Sequence, residues 1–386
     1  MWLLENLELY APERIGARSL LIGGGKLLRV LNPGERAPDG WNVRSVDCGG
    51  RRVVPGFVDS HVHITGGGGE SGARSKVPAL QLSRYTRCGV TSVVGLLGTD
   101  DTTRSTAELL ARARGLEEEG LSAWIWTGGY HLPPMTLTGS VRGDIVHLDR
   151  CLGVGEIAIS DHRSSQPSEA EFLRLAADAH VAGLMTGKAG VLHLHLGDGP
   201  RGLELVRRAL DISEIPARVF HPTHVNRKRR LFEEALDVAR RGVTIDVTAY
   251  PVEKGEDAWS AEDAFERFMA AGIAHERFTV SSDGGGCLPV FDSDGRVTHM
   301  DVGAPVMLGA TLRTLLARGH ALEQVLPILT SNPARLLRLE NKGHLREGAD
   351  ADLVVLDHSG VVRDVMARGV WHLREGQQRI KGTFES

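Results

Sequence analysis

Short apolar runs alternate with amphipathic helical stretches through most of the chain. The apolar runs have the length of strands and include residues 91–97, 123–127, 157–160, 190–195, 217–221, 244–247 and 278–282. Helical patterns lie between them, for example over residues 106–119, 169–182 and 231–240. This alternation repeats about eight times and predicts a (β/α)8 TIM barrel, an α/β fold. A doubly wound sheet is the alternative, although no G-x-G-x-x-G follows the first strand of the series.

The two ends of the chain differ from this pattern, because they contain short strand-like runs separated by turns. Residues 19–31 hold two such runs with three glycines between them, and further runs follow near the C-terminus at 351–356, 361–362 and 369–372. We expect the two ends to pair into one small β-sandwich domain. The predicted boundaries are residues 1–52 and 341–386 for this domain and 53–340 for the barrel.

Composition narrows the functional classes. The chain has 386 residues, 41% of them hydrophobic, and a net charge of -4, which gives no basic footprint for nucleic acid. Its four cysteines lie far apart without C-x-x-C spacing, as in proteins of a reducing compartment. The sequence shows no signal peptide and no run of about 20 apolar residues. We therefore expect a cytoplasmic protein that binds neither nucleic acid nor a membrane.

The first strand of the predicted barrel ends in His61-Val62-His63. Side chains on a strand alternate between its faces, so His61 and His63 point the same way, about 6–7 Å apart, and both can reach one metal ion. Residues 66–69 are glycines followed by Glu70, a run in which the backbone can approach a ligand closely. Taken alone, the two histidines could equally be packed at a strand end.

Later apolar runs also begin or end in residues that bind metals. These residues are Glu156, His195, His224 and Asp283. Because the C-terminal ends of barrel strands meet at one mouth, we expect them to join His61 and His63 there. Such a set of nitrogen and oxygen ligands suits one or two divalent ions and favours zinc. Of the other histidines near strand ends, two are predicted to support the site from behind (His193 and His221) and two to be solvated (His131 and His162).

Several segments resemble those of the amidohydrolase superfamily. Residues 55–63 are similar to its first-strand signature, and residues 330–334 and 343–355 to its C-terminal signatures. Within the superfamily the chain resembles the bacterial isoaspartyl (β-aspartyl) dipeptidases over nearly its whole length. The segments that carry this closer resemblance are 66–70, 130–131, 138–141, 159–163, 223–227, 281–284 and 381–385.

This resemblance implies a zinc-dependent hydrolase that cleaves the isopeptide bond of β-aspartyl dipeptides. The ligands it implies are His61, His63 and Asp283 for one metal and His195 and His224 for a second. In that family a hydroxide held by the two ions attacks the scissile carbonyl. Asp283 would carry its proton to the leaving amine. Tyr130 would donate a hydrogen bond to the carbonyl oxygen as it becomes an oxyanion.

The resemblance also implies how the substrate is held. A β-aspartyl dipeptide carries one ammonium and two carboxylates. Glu70 can pair with the ammonium, and Gly68 and Thr99 can add hydrogen bonds. Arg163 and Arg227 offer forked donors for the carboxylates. The alternative for the two arginines is that they form structural salt bridges.

Two positions depart from the family. Glu156 stands where the family usually has a carboxylated lysine that bridges the two metals, and it is shorter than that group by roughly 3 Å. A glutamate that bridges two metals is one possibility; a single metal, or a weakly held second metal, is the other. Cys287 stands where the family commonly has serine in the substrate loop. Because a thiol is a weaker hydrogen-bond donor, we expect looser contact with a substrate carboxylate there.

Three functions are therefore under consideration. The first is an isoaspartyl dipeptidase, and the second is another amidohydrolase, such as an N-acyl-amino-acid or cyclic amide hydrolase. The third is a non-catalytic scaffold, which the presence of all the histidine ligands disfavours. The resemblance further implies a homo-oligomer, an octamer in the family.

Overall fold

The computed structural model of the chain describes residues 1–291 and 294–385. Its strands are β1 (Trp2–Tyr10), β2 (Arg14–Gly23), β3 (Lys26–Leu31), β4 (Arg44–Asp47), β5 (Arg52–Pro55), β6 (Phe57–Val62), β7 (Val90–Gly95), β8 (Ser122–Thr127), β9 (Cys151–Ile159), β10 (Val191–Leu196), β11 (Phe220–Thr223), β12 (Ile245–Thr248), β13 (Phe278–Ser281), β14 (Cys287–Phe291), β15 (Val297–Val302), β16 (Leu353–Leu356), β17 (Val362–Ala367), β18 (Val370–Arg374) and β19 (Gln377–Gln378). Its α-helices are α1 (Leu82–Thr86), α2 (Thr106–Glu118), α3 (Val141–His147), α4 (Glu169–Thr186), α5 (Glu204–Ile212), α6 (Arg229–Arg240), α7 (Ala261–Ala270), α8 (Val306–Ala317), α9 (Leu322–Leu329) and α10 (Ser331–Leu336).

The central part of the chain is a curled parallel sheet. Strands β6 to β11 form a 6-stranded sheet in chain order, and β12 pairs in parallel with β13. Strand β11 lies beside β12, and β13 returns to β6, where the amide of His63 donates to the carbonyl of Gly284 at 2.9 Å. The predicted parallel β–α order is therefore confirmed. Because neighbouring strands follow the chain order, the doubly wound alternative is excluded; complete closure into a TIM barrel stays a prediction.

Helices cover the outside of this sheet. Every residue of β6, β7 and β10 is buried, as expected for parallel strands that are covered on both faces. Helix α4 shows how such a helix is delimited. Ser168 and Glu171 form a capping box at its start, and Gly187, with φ of 74°, ends it in the left-handed conformation. Phe172 and Leu175, within the first two turns of the helix, pack into the core.

Both termini contribute to a second sheet of nine strands, in the order β19-β18-β17-β16-β5-β1-β2-β3 with β4 beside β1. Strand β5 joins the two ends of the chain, because it runs parallel to β1 and antiparallel to β16. Leu4, Leu20, Val53, Leu353 and Met366 are buried together in its core. The sheet built from both termini is thus confirmed. Hydrogen bonds connect all its strands, and its finer description as a sandwich, like the domain boundaries, stays a prediction.

The remaining findings on the fold concern helices and cysteines. None of the helices in residues 1–291 and 294–385 is long and apolar enough to cross a membrane. The four cysteines have free thiols; Cys48 and Cys151 are buried, whereas Cys88 and Cys287 are partly exposed. Cys287 begins the β14–β15 hairpin, which follows the last strand of the parallel sheet.

Candidate metal centre and substrate pocket

The ends of β6 and β13 bring three metal-binding side chains to one point. His61 lies in β6 and His63 directly follows that strand, so its alternation turns both side chains to the same face. Nε2 of His61 is 3.3 Å from Oδ1 of Asp283, and Nε2 of His63 is 3.1 Å from the same oxygen. All three side chains are buried.

A β-bulge directs the central carboxylate. The register between β9 and β10 shifts so that residues 155 and 156 lie opposite a single residue, His193. A bulge of this kind bends the strand and changes the direction of a side chain. Gly155 is required here, because a Cβ at this position would lie 2.5 Å from the His193 carbonyl oxygen. The bulge accompanies the placement of the Glu156 side chain in the mouth of the sheet.

Glu156 lies between all four predicted histidine ligands. Its Oε2 is 3.1 Å from Nδ1 of His195, 3.4 Å from Nε2 of His224 and 3.6 Å from Nε2 of His61. Its Oε1 is 3.4 Å from Nε2 of His63. The Glu156 carboxylate therefore contacts the pair His61 and His63 and also the pair His195 and His224. The six ligands expected from the sequence lie together.

The arrangement fits a cation. Ligand atoms about 2.0–2.1 Å from a tetrahedral zinc ion are separated by about 3.3 Å, which matches the spacing of these side chains. Overlapping groups of three ligands lie within 4.8 Å: His61, His63 and Glu156; His61, His224 and Asp283; Glu156, His195 and His224. Within the described chain, Nε2 of His61 and Oδ1 of Asp283 are buried without a hydrogen-bond partner. Such atoms are costly to bury unless a ligand satisfies them.

Burial also sets the protonation that metal binding requires. It lowers the pKa of His195 to about 4 and the pKa of His61 and His224 below the ordinary value, so these imidazoles are neutral at pH 7. Burial, with the nearby Asp283 carboxylate, raises the pKa of Glu156. A bound cation would oppose that rise and hold Glu156 as a carboxylate.

The backbone around the site is strained and crowded. His224 and Asp283 have φ of 58° and 50°, in the left-handed region that residues other than glycine rarely occupy. Such conformations persist where the surrounding structure enforces them, and they cluster at functional sites. A Cβ on Gly286 would lie 2.1 Å from Oδ1 of Asp283, and one on Gly98 would lie 2.7 Å from the His63 ring.

A chain of hydrogen bonds lies beneath the ligands. Nδ1 of His61 is 2.7 Å from Nε2 of His193, whose Nδ1 is 2.9 Å from Nδ1 of His221. Nε2 of His221 is 3.2 Å from the hydroxyl of Thr279, which donates to Asp246 at 2.6 Å. His193 and His221 are thus behind the ligands, as the sequence predicts, and each uses both ring nitrogens there.

Three of the predicted substrate residues, Glu70, Thr99 and Arg163, form a connected group beside His195. Glu70 accepts a hydrogen bond from the Thr99 hydroxyl at 3.1 Å and forms an ion pair with Nη1 of Arg163 at 3.2 Å. Gly68, two residues before Glu70, has φ of 79° and bridges to Lys76, which fixes the glycine loop. An acidic and a basic side chain therefore lie together at the rim, and both are almost fully buried.

The other three predicted residues occupy separate places. The Tyr130 hydroxyl is 2.8 Å from Nδ1 of His195, so it lies directly against the candidate ligands. Arg227 donates to the carbonyl of Leu196 at 2.8 Å and pairs with Asp198 at 3.0 Å. Cys287 is partly buried beside Glu70, and burial together with that carboxylate raises the pKa of its thiol to about 12.

Comparison with known proteins agrees with this geometry. Residues 52–372 match the profile of the Amidohydrolase family. The chain belongs to the amidohydrolase family. Among curated proteins this amidohydrolase is 25% identical to a deacetylase of Agrobacterium fabrum over 359 residues, which is 88% of this chain and 78% of the deacetylase.

Two solved structures are more similar to this amidohydrolase. One is the β-aspartyl dipeptidase of Fervidobacterium islandicum AW-1 in complex with β-Asp-Leu, with 41% identity, a TM-score of 0.93, and coverage of 98% of this chain and 97% of that one. The same dipeptidase in a second crystal structure gives 41% identity and a TM-score of 0.90, with 98% of each chain covered. The resemblance noted from the sequence motifs is therefore confirmed.

The sequence patterns did not assign a role to Asp161, although it lies in the motif 159–163. Its carboxylate is 3.0 Å from Nε2 of His195 and 2.7 Å from Nη2 of Arg163. Spacing alone could have suggested this, since Asp161 follows β9 by two residues. Of the histidines expected to be solvated, His162 is half exposed, whereas His131 is held by Asp101 at 2.9 Å.

Proposed function

We propose that this amidohydrolase is an isoaspartyl dipeptidase that uses bound metal to hydrolyse β-aspartyl dipeptides. The observation that carries the proposal is the 41% identity, over 98% of the chain, to a β-aspartyl dipeptidase whose structure holds β-Asp-Leu. Curated relatives with other activities are more distant; the deacetylase, for example, is 25% identical.

The charges around the mouth support this substrate class. Glu70 is suited to the substrate ammonium, and it is tied to the loop of Thr99 and to Arg163. Arg163 and Arg227 are suited to the two carboxylates, which a guanidinium binds through paired hydrogen bonds. Arg163 and Glu70 pair with each other at 3.2 Å. A β-aspartyl dipeptide replaces this pair, because its ammonium is complementary to Glu70 and its carboxylate to Arg163.

The side chains around the candidate ligands are suited to separate roles in the hydrolysis. Metal ions bound here would supply Lewis acidity and lower the pKa of water, so that a nucleophile is available near neutral pH. We assign Asp283 as the group that accepts a proton and returns it to the leaving amine, since its buried Oδ1 faces both His61 and His63. We assign the Tyr130 hydroxyl as the donor to the developing oxyanion.

We further propose that two zinc ions bind and that Glu156 bridges them. The contacts of its two oxygens with both histidine pairs support this, in spite of its length. Metal analysis of the purified protein should give about two zinc equivalents per chain. One equivalent would favour the single-metal site, and none would favour a non-catalytic scaffold.

The bridge can be tested by substitution. Glu156→Lys, assayed with and without added bicarbonate, should gain activity with bicarbonate if the lysine becomes carboxylated between the two metals. Glu156→Gln is the matched control, since it keeps the size of the side chain but offers no carboxylate and should not respond to bicarbonate. Equal responses of the two variants would contradict a bridging position.

The substrate class can be tested by rates. We expect kcat/KM for β-Asp-Leu to exceed that for α-Asp-Leu and for N-acetyl-leucine by about 10²-fold or more. N-acetyl-leucine lacks the ammonium and one carboxylate, whereas α-Asp-Leu carries the same three charges at different distances from the scissile bond. Equal or faster turnover of N-acetyl-leucine would instead favour the N-acyl-amino-acid hydrolase, and turnover of a cyclic amide alone would favour the other alternative.

Three broader features belong to the same proposal. We propose that the strands from β6 to β13 close into a (β/α)8 barrel, supported by the bridge between Val62 and Gly284. We also propose a homo-oligomer, which size-exclusion chromatography with light scattering would test. A cytoplasmic location is proposed from the spacing of the four cysteines.

A further inference from the structure

We propose that Asp161 is a positioning residue shared by the two halves of the site. It would hold the metal ligand His195 in one tautomer and hold Arg163 toward the substrate. The inference extends the proposed function, because the Arg163 half presupposes an anionic dipeptide. Nothing in the sequence patterns had assigned a role to this side chain.

The contacts of Asp161 are numerous for one carboxylate. Oδ1 accepts from the backbone amide of Arg163 at 2.8 Å and from its Nε at 3.0 Å. Oδ2 accepts from Nη2 of the same arginine at 2.7 Å and lies 3.0 Å from Nε2 of His195. The residue is buried, with an exposed fraction of 5%. A buried carboxylate with this many donors is a strong and rigid acceptor.

The contact with Asp161 decides which nitrogen of His195 carries the proton. The imidazole is neutral and has one N–H. A carboxylate only accepts, so the proton belongs on Nε2, which faces Asp161. Nδ1 then keeps its lone pair, and it faces Oε2 of Glu156 at 3.1 Å and the Tyr130 hydroxyl at 2.8 Å. Two acceptors at that distance suit a cation between them, and carboxylates commonly fix metal-binding histidines in this way.

The alternative tautomer of His195 carries the proton on Nδ1, and it predicts that this nitrogen does not bind metal. Nη2 of Arg163 lies 3.3 Å from Nε2 of His195 and could donate to it if the proton were on Nδ1, facing Glu156. Oδ2 of Asp161 is closer, at 3.0 Å, and carries the opposing charge. The first tautomer frees Nδ1 for metal, whereas the second blocks it.

The same carboxylate orients Arg163. Because Nε and Nη2 are both held by Asp161, Nη1 is directed away from that carboxylate, and it reaches Glu70 at 3.2 Å. The guanidinium also lies over the Tyr130 ring, with its central carbon 5.3 Å from the ring centroid. Without Asp161 this long side chain would lose its fixed direction, and with it the preorganised contact with a substrate carboxylate.

The first test measures metal and requires no dipeptide. Zinc affinity is measured by competition with a chelator for the wild type, Asp161→Asn and a matched control, Asp198→Asn, which makes the same change beside the other arginine. We expect Asp161→Asn to weaken zinc binding about 10–100-fold and Asp198→Asn to leave it unchanged. Unchanged zinc affinity in Asp161→Asn, or an equal loss in both variants, would overturn the proposal.

The second test measures binding of β-Asp-Leu to metal-free protein by calorimetry, so that no turnover occurs. Asp161→Asn and Arg163→Gln should each weaken binding about tenfold, and the double variant should be no weaker than the single ones, since both remove the same contact. Additive losses would contradict the orienting role. If the wild type fails to bind or hydrolyse β-Asp-Leu, the proposed function fails, whereas the zinc test still decides the role of Asp161 at the metal.

A variant that retains charge covers the case in which Asp161→Asn does not fold. Asp161→Glu displaces the carboxylate by about 1.5 Å. We expect smaller losses of zinc affinity and of dipeptide affinity than for the asparagine variant. Wild-type values for both affinities in Asp161→Glu would overturn the proposal.

Discussion

Two strands of the parallel sheet carry the same His-x-His pattern but use it differently. In β6 the pair is His61 and His63, and both reach Oδ1 of Asp283. In β10 the pair is His193 and His195, and only His195 contacts Glu156. Both pairs are buried, so burial alone does not distinguish a ligand from a supporting residue.

The difference lies in what surrounds the deeper histidine of each pair. Nδ1 of His61 contacts His193, but its Nε2 faces the open centre of the site without a hydrogen-bond partner among the described residues. His193 uses Nε2 for His61 and Nδ1 for His221, and its ring stacks on Trp126 at 5.2 Å. A histidine whose two nitrogens are already occupied has no lone pair left for a metal.

The largest effect is expected when the histidines assigned as metal ligands are replaced, and not the supporting His193. His63→Asn and His195→Asn should each lower kcat for β-Asp-Leu about 10³-fold or more, because each removes a ligand of the candidate metal pair. Metal analysis should show a loss of bound zinc in both. Full zinc content and activity in either variant would contradict its assignment as a ligand.

Asp283 contacts the His-x-His pair of β6, with distances of 3.3 Å to His61 and 3.1 Å to His63. This contact is a second difference between the pairs of β6 and β10. Asp283→Asn should reduce kcat about 10²–10⁴-fold by removing the proton acceptor, while most of the zinc is retained by the remaining ligands. Steady-state rates and metal content on the same preparation measure this. An active variant would exclude Asp283 as the proton carrier.

His193 should matter through His61 and not as a ligand. His193→Leu removes the acceptor for the Nδ1 proton of His61 and should weaken zinc binding about 10–100-fold. His193→Gln, whose side-chain oxygen can still accept that proton, should recover most of the affinity. If the two variants bind zinc equally, the hydrogen bond has no part in orienting His61.

The smallest expected effect is on stability and concerns His221. Burial lowers its pKa to about 3 from 6.5. As pH falls below 6.5 the unfolded chain takes up a proton on this side chain and the folded chain does not, so the free energy of unfolding decreases toward about pH 3. His221→Asn should reduce this slope by about 1.4 kcal/mol per pH unit. Urea unfolding of metal-free protein between about pH 4.5 and pH 6.5 measures it, and an unchanged slope would show that His221 does not titrate as inferred.

The sequence predicted the order of the sheet and the ligand-type residues because both depend on local patterns. Apolar runs give the strands, and His61, His195 and Asp283 lie where those runs end. The position of Glu156 required more, because a bulge opposite His193 directs it. A bulge depends on the register between two strands, and register is not visible in one strand alone.

The contacts between the candidate ligands and the side chains that support them could also not be predicted from the sequence. Asp161 meets His195 across a separation of 34 residues, and His61 meets His193 across 132. Such contacts arise only when strands are placed side by side. Arg227 is a further example, because its contacts with Asp198 and with the carbonyl of Leu196 also join residues about 30 positions apart.

The sheet of the two termini has a consequence for how the protein is made. Strand β5 is separated from β6, which carries His61, by Gly56 alone, and it pairs with β16 near the C-terminus. During synthesis β5 therefore emerges long before β16, and one of its edges stays open while nearly the whole parallel sheet leaves the ribosome. The strand that leads directly into β6 is therefore paired on both sides only after β16 has been made.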